Sequence, residues 1–372
     1  MQLSNNQQVF LELVRAGLWE KEARLSHYDN LDFNEVYRLA EEQSVLGLVA
    51  AGIEHVIDKK VPQEMALSFV GPALQLEQRN TAMNDFVAKL VEQLRIADVY
   101  AILVKGQGIA QCYERPLWRS SGDVDFFLSD NNYIRAKMLL EPISTETGLI
   151  DTYRKHILFV INNWHVELHG NLRSNLWKKV DHVLDEVQND VFCGGAVRTW
   201  INGQTQIFLP RVDEDVVFVF AHILQHYYKE GVGLRQICDW CRLLYTYKDS
   251  VKRDLLGNRL KKMGVMSEWH AFAYLAVNSL GMPEDAMPFY CNNKKWENKA
   301  NHILNFIFEV GNFGHNIDAS YLHESNIFVR KVKTLLRLTG NNLKQIIVFP
   351  LDTIRVWCYM FSSRLLLTIS KL

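Results

Sequence analysis

The sequence predicts an α+β protein, with a small mixed β-sheet flanked by an N-terminal and a C-terminal helical region. Three observations carry that expectation. The first hundred residues place apolar side chains at helical spacing; strand-like runs are confined to the stretch between Val99 and Leu209; helical spacing returns at Asp213 and persists to the end. The organisation expected is 1–97 helical, 98–210 a mixed α/β domain that carries the chemistry, and 211–372 helical.

In the first region, Val9-Phe10-Leu11 with Leu13-Val14 marks one helix. Val36, Leu39 and Ala40 mark a second that continues into Leu46-Leu48-Val49, and Met65 to Ala97 a longer third. The texture then changes. Val99 to Val104 is a short apolar, β-branched run that ends at Lys105-Gly106-Gln107-Gly108, and a short helix is expected from Ile109 to Tyr113. Asp123 to Leu128 is the second strand candidate, and Tyr133 to Leu140 reads as a helix. His156–Val160 and Trp164–Leu168 read as strands on either side of Ile161-Asn162-Asn163, and Gly194-Gly195 and Asn202-Gly203 signal a turn and a hairpin before Leu209-Pro210. In the third region Asp213-Glu214-Asp215 places acids in a first helical turn, where the helix dipole favours them. Val216 to Tyr228 is apolar almost all round, as in a buried helix.

Composition narrows the function classes. Lys and Arg number 41 against 42 Asp and Glu, a net charge of −1, which argues against a nucleic-acid coat and against long duplex DNA as a partner. The start, Met1 to Gln8, has no basic or apolar run of a signal peptide. Asp352, Arg355 and Arg364 interrupt the apolar stretch from Ile346 to Leu372, so it falls short of the roughly 20 uncharged residues that span a bilayer. A core-facing helix is expected there, with a peripheral membrane contact as the alternative. The six cysteines are scattered, Cys238 and Cys241 read as buried thiols, and the chain is expected to be cytoplasmic.

The chemistry concentrates in Arg119-Ser120-Ser121-Gly122-Asp123-Val124-Asp125-Phe126. On a strand Asp123 and Asp125 point the same way while Val124 and Phe126 point to the core. Two carboxylates on one face repel, and a divalent cation is the usual compensation, Mg²⁺ or Mn²⁺ for oxygen ligands. Two solvated acids at a strand start would give the same pattern. Glu167 weighs against that, because it lies on a later strand with matching parity, in Trp164-His165-Val166-Glu167-Leu168-His169. Three carboxylates can hold the paired ions of an in-line displacement at phosphorus. Gly106 and Gly108 allow backbone N–H groups to approach phosphate oxygens, Ser121 and Gly122 allow close approach before the acids, and Lys105 and Arg119 offer positive charge. His222 and His226 fall with Asp215 and Lys229 on one side of a helix, a polar stripe that can face the same cleft. Arg235 and Asp239, four residues apart, read as an ion pair.

Together these motifs resemble the DNA polymerase β-like nucleotidyltransferase superfamily, and more closely a bacterial group labelled uncharacterised nucleotidyltransferases. The resemblance rests on Lys105-Gly106, Arg119, Gly122-Asp123-Val124-Asp125 and Val166-Glu167-Leu168-His169, with His222, Gly233-Leu234-Arg235 and Asp239-Trp240 further on. It implies Mg²⁺-dependent transfer of a nucleoside monophosphate from an NTP to an acceptor hydroxyl, with pyrophosphate released. The acceptor is a small molecule, a sugar, a protein or an RNA end. Asp123, Asp125 and Glu167 would hold the metal, and Glu167 would help deprotonate the acceptor. Two departures stand out: Gly106-Gln107 replaces the usual Gly-Ser, and the third acid is Glu rather than Asp. The alternatives are an inactive nucleotide-binding module on the same fold, and a metal-dependent hydrolase built on His165, Glu167 and His169.

Overall fold

The computed structural model describes residues 3–153, 155–194, 197–316, 340 and 343–369, with side chains through residue 359. The N-terminal helices are α1 (Asn5–Trp19), α2 (Phe33–Glu42), α3 (Leu46–Glu54) and α4 (Gln63–Ile96). Ser4 and Gln7 cap α1 reciprocally, each side chain taking the other's backbone N–H. Gly17 and Gly52 let α1 and α3 touch backbone to backbone; a Cβ at Gly17 would sit 1.9 Å from the Leu48 carbonyl oxygen. The second helical pattern does not run on to Val49 as expected. The chain breaks between α2 and α3, where Ser44 takes a left-handed conformation (φ 54°).

A seven-stranded mixed sheet forms the centre. Its strands are β1 (Ile102–Val104), β2 (Val124–Phe127), β3 (Glu146–Thr147), β4 (His156–Ile161), β5 (Trp164–His169), β6 (Arg198–Asn202) and β7 (Thr205–Leu209). Their order is β3-β4-β5-β2-β1-β7-β6, with β2 parallel to β5, β1 parallel to β7, and antiparallel neighbours elsewhere. β1 begins three residues later than the apolar run suggests, because the Val99 amide closes the end of α4 by donating to the Leu94 carbonyl at 2.8 Å. Asn162 and Asn163, both at positive φ, make a two-residue turn that pairs Ile161 with Trp164. The hairpin expected at Asn202-Gly203 joins β6 to β7. Of the Gly194-Gly195 turn, Gly195 lies outside the described residues.

Between the strands lie α5 (Gly106–Ala110), α6 (Asp130–Leu140) and α7 (Lys178–Cys193). The helix expected at Ile109–Tyr113 spans Gly106–Ala110 instead, starting where Lys105 and Gly106 turn the chain at positive φ. Helix α7 was not among the expected elements, although Val180, Val183, Leu184 and Val187 give it a buried stripe at helical spacing. The chain ends in α8 (Val212–Lys229), α9 (Leu234–Thr246), α10 (Arg253–Met263), α11 (Met266–Asn278), α12 (Lys294–Val310) and α13 (Pro350–Ile369).

One face of the sheet closes against α4 and α6: Leu103, Val124, Phe126, Phe159, Val166 and Leu168 meet Val87, Leu90 and Leu94 there. The opposite face shares a larger core with α7 to α12 and the N-terminal helices. The two helical regions therefore touch each other: Phe10 packs on Phe308, and the Gln43 side chain bonds both the Ile307 carbonyl and the Leu234 amide. Cys238 and Cys241 are fully buried, and burial pushes both thiols up. The stretch around α13 is only half core-facing. Val348, Phe349 and Val356 are buried, whereas Leu351, Ile354 and Trp357 are exposed, and residues 370–372 lie outside the described residues. Among the described residues no helix is long and apolar enough to cross a membrane.

Candidate active site

A pocket of about 290 Å³ opens between the ends of β2 and β5 and the helices α8 and α9. Strand pairing builds its floor. Asp125 on β2 lies directly beside Glu167 on parallel β5, and Phe127 beside His169; His169 in turn faces His156 across the β4–β5 hairpin. Partners in register share a face, so Asp125, Glu167, His169 and His156 all project into the pocket. Ligand oxygens of Asp123, Asp125 and Glu167 all lie within 4.8 Å of one another.

Cations answer these acids. Lys105 Nζ is 2.8 Å from Asp125 Oδ1, and His169 Nε2 approaches the same oxygen at 2.8 Å. His156 Nε2 lies 2.9 Å from Glu167 Oε2. The backbone of Lys105 (φ 56°, ψ −145°) is one that L-residues rarely adopt, and it aims the side chain back across the strand end. Burial favours neutral Lys105, but the carboxylates of Asp125, Asp123 and Glu167 outweigh it and raise its pKa. The negative charge of Asp125, then burial, raises that of Asp123, against Lys105. Burial would raise Glu167 too, yet hydrogen bonds from His156 and His169 hold it well below the usual carboxylate range.

Lys105, Gly106, Arg119, Gly122, Asp123, Asp125, Glu167, His222 and His226 all line this pocket; Gly108 and Ser121 do not. Gly108 is buried under Leu209, where a Cβ would meet that side chain at 2.8 Å. Ser121 is buried and donates to Gln107 Oε1 at 3.0 Å. Gln107 turns inward, away from the pocket, so its side chain braces the loop before Asp123. Every nitrogen of Arg119 is engaged: Nε and Nη2 grip Asp239 at 2.7 and 2.6 Å, and Nη1 donates to Ser120 and Ser121.

Helix α8 brings only two of its four expected polar residues to the cleft. His226 Nδ1 meets Glu230, and His226 Nε2 meets His222 Nε2 at 3.0 Å. The two rings therefore form a hydrogen-bonded chain from the pocket wall to the Glu230 carboxylate. Burial, then Lys105 and His226, lowers the His222 pKa well below its ordinary value. Asp215 pairs with Arg198, and Lys229 bonds the Ser174 carbonyl.

Two expectations are corrected. Asp239 binds Arg119, not Arg235. Arg235 instead sits on the pocket wall with Nη1 on the Ser120 carbonyl, its Nε without a hydrogen bond, and no ion pair among the described residues. Burial and the charge of Arg119 lower its pKa. Second, His165 does not join Glu167 and His169: it is exposed and pairs with Val160, and His156 takes its place. His156 escaped the sequence reading because that reading ended the first strand at Val160. A three-residue turn would set His156 opposite Leu168, on the apolar side; the true two-residue turn sets it opposite His169.

The chain belongs to a nucleotidyltransferase family: the family model described as "Uncharacterised nucleotidyltransferase" matches residues 29–281, a span that contains every pocket residue except Phe313. No curated protein and no solved structure matches the chain.

Proposed function

We propose that the chain transfers a nucleoside monophosphate from an NTP to an acceptor hydroxyl and releases pyrophosphate. The observation that carries this reading is the convergence of Asp123, Asp125 and Glu167 from neighbouring parallel strands at the pocket floor, beside Lys105. An all-oxygen donor set of this kind fits Mg²⁺ or Mn²⁺. When bound, the ion supplies Lewis acidity to the phosphoryl oxygens and lowers the pKa of the attacking hydroxyl.

The side chains divide the remaining work. Of the four cations that line the pocket, Lys105, Arg119, Arg173 and Arg235, Arg119 and Arg173 are paired with Asp239 and Asp185, and Lys105 and Arg235 neutralise triphosphate oxygens that would otherwise face three carboxylates. Gly106, at φ 38° in the first position of α5, keeps the backbone open to a phosphate. Arg119 and Ser121 hold the loop that carries Gly122 and Asp123 in place. His156 and His169 keep Glu167 ionised, which suits it to metal ligation better than to taking a proton from the acceptor. His222 and His226 line the side wall as hydrogen-bonding groups. A small molecule, a sugar, a protein side chain or an RNA end would supply the acceptor hydroxyl.

The test is a thermal-shift panel of the four NTPs, with and without Mg²⁺, on wild type, Asp123→Asn and Asp125→Asn, followed by pyrophosphate release. A nucleotide at a hundred times its Kd stabilises by roughly 2.7 kcal/mol. The expected result is a Mg²⁺-dependent shift that both variants lose while remaining folded. No shift with any NTP defeats the proposal. A second reading, a nucleotide-binding module without turnover, has the inward-turned Gln107 in its favour, since no hydroxyl stands where the phosphates would meet one. It predicts the shift without pyrophosphate release.

A further inference from the structure

We infer that His156, His169, Glu167 and Asp125 form a separate site for a first-row transition cation of the Zn²⁺ or Mn²⁺ class, next to the all-oxygen cluster and sharing carboxylates with it. Ligand atoms of His156, Glu167 and His169 lie within 4.8 Å of one another. The hairpin brings the two imidazoles side by side at a tilt of 44° with ring centres 4.9 Å apart, and their Nε2 atoms lie 2.9 and 3.5 Å from Glu167 Oε2. Asp125 Oδ1, at 2.8 Å from His169 Nε2, would become the fourth donor by moving toward the other three. In a tetrahedron with bonds of about 2.0–2.1 Å, ligands stand about 3.3 Å apart. The two histidine–Glu167 separations, 2.9 and 3.5 Å, bracket that edge, so these three donors are already near ligating positions.

The donor set separates this site from the neighbouring one. Two imidazoles and two carboxylates suit Zn²⁺, Mn²⁺, Fe²⁺ or Co²⁺, whereas the purely carboxylate set suits Mg²⁺. The four side chains are at most 22% exposed, so an ion there would be largely removed from solvent. The inference does not depend on nucleotide transfer, because the ion is detected without a nucleotide.

The test uses the full chain, stripped with a chelator and titrated with Co²⁺ while visible absorption is recorded, with Zn²⁺ as competitor. Wild type should take up one equivalent with a ligand-field band. His156→Ala and His169→Ala should each weaken binding by more than roughly tenfold, since losing a mere outer partner of a ligand already costs about 10–100-fold. Asp123→Asn should keep the band while losing the Mg²⁺–NTP shift, so failure here is distinguishable from failure of the nucleotidyltransferase reading. His156→Gln, checked by its melting curve, guards against misfolding of the alanine variant. The inference is overturned if wild type shows no stoichiometric band, if the histidine variants bind as wild type does, or if Asp123→Asn alone abolishes the band.

Discussion

The two faces of the central sheet are built from the same strands and do opposite work. On one, Val124, Phe126, Val166 and Leu168 disappear under α4 and α6 without an ionisable group among them. On the other, the alternate residues Asp125, Glu167, His156 and His169 stay polar around a pocket, although Phe127 and Ile102 on that same face are fully packed. Concentrating acids this way costs stability, because Asp123 and Asp125 repel each other and are partly desolvated. In the sheet the fold accepts that cost at the strand ends that face α8 and α9. Alternation along β2 and β5 thus separates what holds the sheet together from what the sheet presents.

The sharpest way to break this division is to change adjacent residues on opposite faces. Asp125→Asn should reduce nucleotidyl transfer by at least roughly a thousandfold, comparable to the upper end of losing one preorganised electrostatic group, with its urea midpoint nearly unchanged. Phe126→Ala should do the reverse. It removes a fully buried ring and should cost about 3–5 kcal/mol in urea unfolding, while any protein that remains folded keeps its metal-dependent nucleotide shift. If Asp125→Asn unfolded the protein, the polar face would be structural and the division would fail.

A buried carboxylate far from the pocket shows that buried charge by itself does not mark a site. Glu268 on α11 is fully buried, bonds the Tyr228 hydroxyl, and has its pKa pushed up to about 8 by burial and by the Asp352 carboxylate on α13. Its folded pKa lies above its unfolded value of 4.5, so the native state holds the proton more tightly. Between those two values the unfolded chain releases the proton first, and stability falls as pH rises, by a few kcal/mol in all. Urea titrations across that window should show the slope in wild type and not in Glu268→Gln, whose transfer activity should equal wild type.

Arg235 sharpens the comparison from the helical wall. Unlike Arg119 it has no carboxylate partner among the described residues, so Arg235→Ala should leave stability nearly intact and weaken NTP binding about 10–100-fold, the value of one or two charge-assisted hydrogen bonds. Equal affinity in calorimetric titration would remove it from the phosphate subsite.

What was legible in the sequence follows from the same alternation. Asp123, Asp125 and Glu167 were readable because parity along a strand is a local property, and parity alone brings them to one face. The order of the strands, and hence the direct pairing of Asp125 with Glu167, is a long-range property that spacing does not encode. Arg235 sits on α9, far along the chain from the acids, and its role turns on Arg119 having claimed Asp239 first. His156 was lost to a single-residue error at a strand end, the kind of boundary where local signals are weakest.

That last point gives the smallest expected effect and the most discriminating one. Asn163 is in the left-handed region (φ 65°) at the second position of the β4–β5 turn, where glycine is preferred. Asn163→Gly should therefore change stability by less than about 1 kcal/mol and leave nucleotide and Co²⁺ binding as in wild type. Inserting one glycine between Asn162 and Asn163 makes nearly the same chemical change in the turn but threatens the register. If the hairpin slips, His156 moves opposite Leu168, Ile157 and Phe159 leave the apolar core, and the Co²⁺ band disappears together with a large part of the stability. Should the insertion keep the band, β4 is held in place by β3 and the core rather than by its turn, and the polar face owes its geometry to packing rather than to the two asparagines.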